Sequence, residues 1–281
     1  MMQDSEGFSI RIPAKTQTKE PVYIQARMSG SSRNRIVVEA GSSANIVIRY
    51  LSEEEHLNAD ELNEVLLEDN ASLNIVLLQR LNLSTHLKTH TTVSQAADSM
   101  VKIHYIALSG ENIDNSLQVN LNGKNAEHTA HGLSFTEGTE LMGNHVRIVH
   151  TAPECRSNQL FKHILSGTST GNFTGQIIVN KEAQKTTAYQ RSSNILLNSK
   201  AKMNIQPQLE IYADDVKCSH GATVGQIDSE AVFYLQTRGI DKQDAEKLLL
   251  CAFAEETLEG INIENIKSEI IQYVNQKLIT S

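Results

Sequence analysis

Tryptophan is absent from this 281-residue chain, and there are only three cysteines and four prolines. Each shortage excludes something. Cys155, Cys218 and Cys251 are too few and too scattered for a disulfide framework, and they fit a reducing compartment. No CxxC pair occurs, so a self-contained structural zinc site is not expected. No run of 18 apolar residues exists, so no segment is expected to span a membrane. The opening "MMQDSEGFSIRIPAK" lacks the apolar stretch of a secretory signal. The net charge is −8 and no basic patch stands out, so nucleic acid is not an expected partner. Neither a GxxxxGK[ST] phosphate loop nor a GxSxG elbow is present, so nucleotide hydrolysis and serine-hydrolase chemistry are not expected. These absences together describe a soluble chain of cytoplasmic type.

What is present is a long series of short strands. From residue 8 to 224, β-branched residues and leucine alternate with polar ones in "NIVIRY", "SLNIVLLQ", "MVKIHYIAL", "SLQVNL", "HVRIVH" and "GQIIVN". Turn-forming clusters such as "SGSSRN", "NGKN" and "SGTSTGN" separate them. The stretch "SEEEHLNADELNEVLLEDN" admits a helical turn. A faint echo runs through "GSSANIVIRY" (41–50), "NASLNIVLLQ" (70–79) and "ADSMVKIHYI" (97–106), which align at offsets of 29 and 27 residues. Short strands repeating at that period point to a solenoid whose rungs bury their apolar faces on one another. Two strands per rung would make a wide, flattened β-helix. On pattern alone, a β-sandwich remains the alternative.

After Gly225 the character changes, which divides the chain into a β core (1–225) and a helical segment (226–281). "DSEAVFYLQTRG" predicts a helix with Asp228 at the N-cap and Gly239 just past its end. "DKQDAEKLLLCAFAEETLEG" predicts a second, capped by Asp241 and stopped at Gly260, with Ala245, Leu248, Leu249 and Ala252 on one face. A third, "NIENIKSEIIQYVNQKLI", places Ile263, Ile266, Ile270 and Val274 on a stripe. These helices are expected either to cap the open end of the solenoid or to dock a partner.

The chemistry worth weighing sits just before that change, in "DDVKCSHGATVG" (214–225). In an extended chain Cys218 and His220 point to one face and Ser219 to the other. A soft sulfur beside an imidazole can help hold a transition metal. A small buried thiol beside a hydrogen-bonded core histidine is the other reading. Most of the ten histidines lose a metal role to alternation. His128 and His131 face opposite ways. His86 and His90 share a face but stand too far apart along a strand for one metal. His145 shares a face with Arg147 and opposes His150. Asp214 and Asp215 are adjacent and point apart on a strand, which makes a poor acid/base pair. Cys155 and Cys251 read as structural.

Three stretches carry a resemblance. They are "GNFTGQIIVNKEAQKTTAYQRSSNILLNSKAKMNIQPQLEIYADDVKCSHGATVGQID", "AVFYLQTRGI" and "HTAPECRSNQLFKHIL". Together they resemble the SufB/SufD family of iron–sulfur cluster assembly proteins, most strongly from Gly171 to Ile240. Within the family the chain is more similar to SufD. The family histidine is His220, followed here by Gly221 where SufB has an acidic residue, and "YQRSSNILL" lacks the cysteine that SufB carries there. Family members usually open with a helical N-terminal region, whereas this chain enters almost directly at "GFSIRIP", which leaves any function of that region unassigned.

The resemblance implies a right-handed parallel β-helix followed by C-terminal helices. It implies a non-enzymatic scaffold that pairs with SufB through the β-helix and binds the ABC-type ATPase SufC through its helices. A two-fold homodimer is expected when the chain is alone. No tightly held cofactor is implied. His220, with Cys218, would face iron or a nascent cluster shared with SufB. The rivals are a SufB-type scaffold that holds the cluster itself, and a β-helix enzyme acting on polysaccharides. The low aromatic content, 5%, counts against the second.

Overall fold

The computed structural model describes residues 4–5, 7–26, 30–52 and 56–280. Seventeen strands come first. They are β1 (Asp4–Ser5), β2 (Ser9–Ile12), β3 (Val22–Ala26), β4 (Gly30–Val38), β5 (Ser43–Leu51), β6 (Asn58–Leu67), β7 (Ser72–Arg80), β8 (His86–Gln95) and β9 (Met100–Ser109), then β10 (Asn112–Leu121), β11 (Glu127–Thr136), β12 (Leu141–His150), β13 (Arg156–Leu165), β14 (Thr170–Val179), β15 (Thr187–Leu196), β16 (Lys202–Ile211) and β17 (Lys217–Gly225). Three helices follow: α1 (Ser229–Thr237), α2 (Lys242–Glu255) and α3 (Glu264–Thr280), with a 3₁₀ turn, Glu256–Leu258, after α2.

From β4 onward each strand pairs in parallel with the strand two places along the chain. Even-numbered strands, joined by β1, build one sheet and the odd-numbered strands from β3 onward the other, so the chain winds as a two-sheet β-solenoid. The expected flattened β-helix is therefore what forms, and the sandwich alternative falls, because no described strand pair is antiparallel. The expected helical turn does not form over Asn58–Leu67, which is β6; residues 53–55 of that stretch lie outside the described residues. Alternation decides it: Ala59, Glu61, Asn63, Val65 and Leu67 all point inward. The sequence echo is one residue out in its second step. Ser43 lies beside Ser72, as aligned, but Ser72 lies beside Met100 rather than Ser99. A slip of one would send Ile75 and Ile103 to opposite faces.

One corner of the solenoid repeats in every full rung. Lys15, Gly41, Asn70, Asp98, Asn125, Glu154 and Lys185 all have φ between 56° and 67°, the left-handed conformation. The backbone N–H of each from Gly41 onward bonds a carbonyl at the same corner of the next rung, such as Asn70 N–H to Ala97 O at 2.9 Å. A small buried residue follows each corner from Gly41 onward, including Ala71, Ser99, Ala126 and Cys155. Cys155 is thus a corner-filling residue, its Sγ 3.2 Å from Gly123 O.

Between the sheets lies an apolar core that includes Tyr50, Ile75, Ile103, Tyr105, Phe161 and Phe173. Burying side chains of this size contributes roughly 1.5–3 kcal/mol each. The outer face of the even-numbered sheet is left to solvent, and its strands alternate buried and exposed positions. The outer face of the odd-numbered sheet is covered by α2 and α3. There Val76, Leu78, Ile106, Leu133, Phe135 and Ile164 pack against Leu250, Leu258, Ile266 and Ile270. The Ile263, Ile266, Ile270, Val274 stripe is buried as expected. The predicted face of α2 is corrected: Ala245, Leu250 and Ala254 are its buried residues, while Leu248 and Ala252 point to solvent. The buried set follows the sheet beneath it rather than the helix's own leucine run. Nor do the helices cap the end of the solenoid. They lie along its side.

Several histidines are sealed inside and neutral. His163 shows how: its Nδ1–H donates to Asn194 Oδ1 at 2.7 Å while its Nε2 accepts from Asn144 Nδ2 at 3.0 Å. Burial lowers His163 and His150 to about 4. Burial, with a second histidine nearby, lowers His128 and His104 to about 3. Below the ordinary histidine value of 6.5 the unfolded chain binds protons at these rings and the folded chain does not, so their contribution is full above 6.5 and is lost as pH falls toward 4. Burial raises Glu140 to about 7 and also raises Glu61, which acts in the opposite sense over the range above 4.5. His131 is lowered by burial as well, and these five rings outweigh the two carboxyls and His145, which its bond to Asp114 raises. The melting temperature is therefore expected to be lower at pH 5 than at pH 7; an unchanged or higher value at pH 5 would contradict the neutral burial of these rings.

Candidate functional site

The site is the open end of the solenoid. β16 and β17 are the last strands of their sheets, and each has a partner on one side only. The inward positions of β16 are Met203, Ile205, Pro207, Leu209 and Ile211, paired with the buried Gly171, Phe173, Gly175, Ile177 and Val179 of β14. On β16 those positions are half-buried or exposed, because no further rung covers them. β17 is exposed at every position except Cys218, which is half-buried.

Cys218 and His220 share the inward face of this edge strand, as alternation requires, with Ser219 on the other. Cys218 stands beside Ala188 and packs on the small apolar cluster around Ile177, Val179 and Ala213. Burial raises its thiol above the ordinary value, so in the isolated chain it is a neutral thiol rather than a thiolate. His220 is exposed and stands beside Gln190, which stands beside Gln159. Asp214 and Asp215 are in the bend before β17, not on a strand.

What lies beneath His220 was not visible in the pattern. Along its column the inward residues run Ile75, Ile103, Ala130, Gln159, Gln190, His220. This column thus turns from apolar to polar toward the open end. Gln190 Nε2 donates to Gln159 Oε1 at 2.9 Å. Gln190 Oε1 and Gln159 Nε2 are buried with no hydrogen-bond partner, a cost that a bound group or partner chain would offset. A polar chain crosses between the two sheets from Gln79 through Asn115, Asn144, His163 and Asn194, whose Nδ2 donates to Thr223 O of β17 at 2.9 Å. On the outer side a cleft of about 460 Å³ joins His220 to His131, Arg191, Glu256 and Glu259.

The other histidines fall as alternation requires. His128 is inside, bonded to Gln95 at 2.7 Å, and His131 is outside beneath the 3₁₀ turn. His86 and His90 share the solvent face, near Glu111 at 3.4 Å and Asp60 at 3.7 Å. His145 pairs with Asp114 at 3.0 Å, and the pairing raises the imidazole and lowers the carboxyl. Among the described residues no group of three or more histidine, cysteine, aspartate or glutamate side chains is arranged to hold a metal ion. Cys218 and His220 are two donors on one edge, fewer than the four of a tetrahedral site.

The profile of the SUF system FeS cluster assembly SufBD core domain matches residues 22–253. The chain belongs to the SufB/SufD family. Within it the chain is most like SufD. It is 33% identical over 248 residues to the iron–sulfur cluster assembly protein SufD of Escherichia coli, covering 88% of this chain and 58% of that protein. It is 30% identical to an iron–sulfur cluster assembly SufBD family protein of Synechocystis, covering 98% of this chain and 64% of the relative. Identity to SufD of Bacillus subtilis is 26%, over 97% of this chain and 64% of that protein. The chain therefore spans about 58–64% of the length of these SufD and SufBD relatives. No described helix is long and apolar enough to cross a membrane.

Gly175 tests how this end is assembled. A Cβ built there would lie 2.0 Å from Gln190 Nε2, so the amide beneath His220 occupies space that only glycine leaves. Gly175→Ala is expected to destabilise the fold by about 1–3 kcal/mol by displacing Gln190. Adding Gln190→Ala should recover much of that loss in chemical denaturation. Additive losses in the double variant would contradict the arrangement.

Proposed function

We propose that the chain is a non-enzymatic scaffold subunit of an iron–sulfur cluster assembly complex. It pairs with a SufB subunit through the open end of its solenoid and binds the SufC ATPase through α1 and the exposed face of α2. His220, with Cys218 beside it, supplies a ligand or polar contact for iron or a nascent cluster, which is cargo of the complex rather than a resident cofactor. SufB would contribute the remaining donors. ATP-driven movement of SufC would rearrange the SufB–SufD interface.

The observation that carries this is the uncovered last rung. Two edge strands of ten and nine residues, β16 and β17, present unpaired backbone groups and half-buried apolar side chains. Natural sheets rarely leave such edges bare unless another chain pairs with them. The two candidate donors lie on one of these edges. Without SufB, the same edges would let two copies pair about a two-fold axis. Support for the second contact is the exposure of Phe233, Tyr234 and Leu248, at 67%, 57% and 52%, on α1 and α2.

The test is binding of the full-length chain to purified SufB and SufC. Deleting residues 226–281 would uncover the odd-numbered sheet, so point variants are the cleaner probe. Phe233→Ala/Tyr234→Ala is expected to lose SufC and keep SufB. Cys218→Ala/His220→Ala is expected to keep both partners and slow cluster assembly. Normal assembly by the second variant would remove the site assignment, and failure of the unmodified chain to bind either partner would remove the function.

A further inference from the structure

A second cleft lies away from the open end. It measures about 810 Å³ and runs between α2 and the corners that lead from odd-numbered to even-numbered strands. Its roof is Gln243, Glu246, Lys247 and Leu250 of α2. Its floor is the corner Glu137–Glu140, flanked by Ser166 and Gly167 on one side and Glu111 on the other. Leu83, Leu197 and Ile227 give it apolar walls.

Four carboxylates line this space, and three have a basic side chain within salt-bridge distance. Glu137 is engaged by Lys277, Glu111 has His86 at 3.4 Å, and Glu246 has Lys242 at 3.7 Å. Glu140 also feels the charge of Lys277, and it differs from the others in its burial. It is only 6% exposed, its Oε2 accepts the Glu137 N–H at 2.9 Å, and its Oε1 is buried with no hydrogen-bond partner. Burying an unmatched carboxyl oxygen is costly, and the fold keeps it at the floor of an open cleft. A ligand that meets it carries a hydrogen-bond donor with positive charge, and an aliphatic stem for the leucine and isoleucine walls. A lysine or arginine side chain has both.

The cleft also adjoins the surface described above. Ile227 leads into α1, and Glu246 and Lys247 precede the exposed Leu248 of α2. A protein docked on Phe233, Tyr234 and Leu248 would lie beside its mouth. We propose that this cleft receives a basic side chain from an exposed segment of the SufC partner, with Glu140 as its anchor. This rests on the docking proposed for α1 and α2 and adds to it a polar, charge-specific contact.

Glu140→Gln is the decisive variant, because it removes the charge and keeps the shape. Relief of a buried carboxyl means that its melting temperature should be equal to or above that of the unmodified chain, so weaker binding would not reflect misfolding. With the full chain and purified SufC, Glu140→Gln is expected to weaken binding at least about tenfold and to flatten its dependence on salt. Phe233→Ala should weaken binding while leaving the salt dependence unchanged. If Glu140→Gln binds SufC as the unmodified chain does while Phe233→Ala does not, the cleft proposal is overturned and the docking surface stands. Absence of binding by the unmodified chain overturns both.

Discussion

In a parallel solenoid every inner rung has its backbone hydrogen bonds completed by the rung before and the rung after. The last rung has only the rung before. That incompleteness follows from the architecture itself, since a translational stack cannot close on itself as a barrel does. A solenoid can end in a helix that covers the last rung, or it can leave the last rung for another chain. Here the C-terminal helices run along the side of the odd-numbered sheet and leave β16 and β17 bare. The functional interpretation depends on that choice.

The interior changes in step with it. Along the column that ends at His220, isoleucine in the early rungs gives way to Gln159 and Gln190 in the later ones. Buried amides and imidazoles are stable only when their partners are fixed, so a chain such as Asn144–His163–Asn194 specifies register as well as holding strands together. The last link of that chain reaches Thr223 O on β17, which ties the exposed edge to the core. Cys218 and His220 thus sit on a strand whose register is set from within, while Gln190 Oε1 below remains unmet.

Much of this was legible in the sequence, for identifiable reasons. Helix starts at Asp228 and Asp241 were readable because capping is a local interaction, and both side chains accept the backbone N–H groups expected. The facing of His128, His131 and His150 followed from the two-residue period of a strand. Three features were not readable in that way. "SLNIVLLQ" and "MVKIHYIAL", grouped above with the alternating strands, are corrected to near-continuous buried runs, because α2 and α3 bury the outer face of that sheet as well. Rung register was marked less by the strand echo than by the left-handed corner at Gly41, Asn70, Asp98, Asn125, Glu154 and Lys185, a signal blurred because lysine and glutamate occupy positions usually given to glycine or asparagine. The polar ladder under His220 could not be seen at all, since Gln159 and Gln190 become neighbours only through stacking. The SufB/SufD resemblance located His220 and Cys218, but it carried no information on what lies below them or on the cleft at Glu140.

The central claim is that β16 and β17 form the surface completed by a partner chain. Amide hydrogen exchange over residues 202–225, measured in the monomeric chain and again with SufB bound, tests it most directly. The account predicts rapid exchange of the unpaired amides on these two edges in the monomer and strong protection on pairing, greatest around Cys218 to His220. Unchanged exchange along both edges in a demonstrated complex, with protection appearing on the outer face of the even-numbered sheet instead, would contradict it.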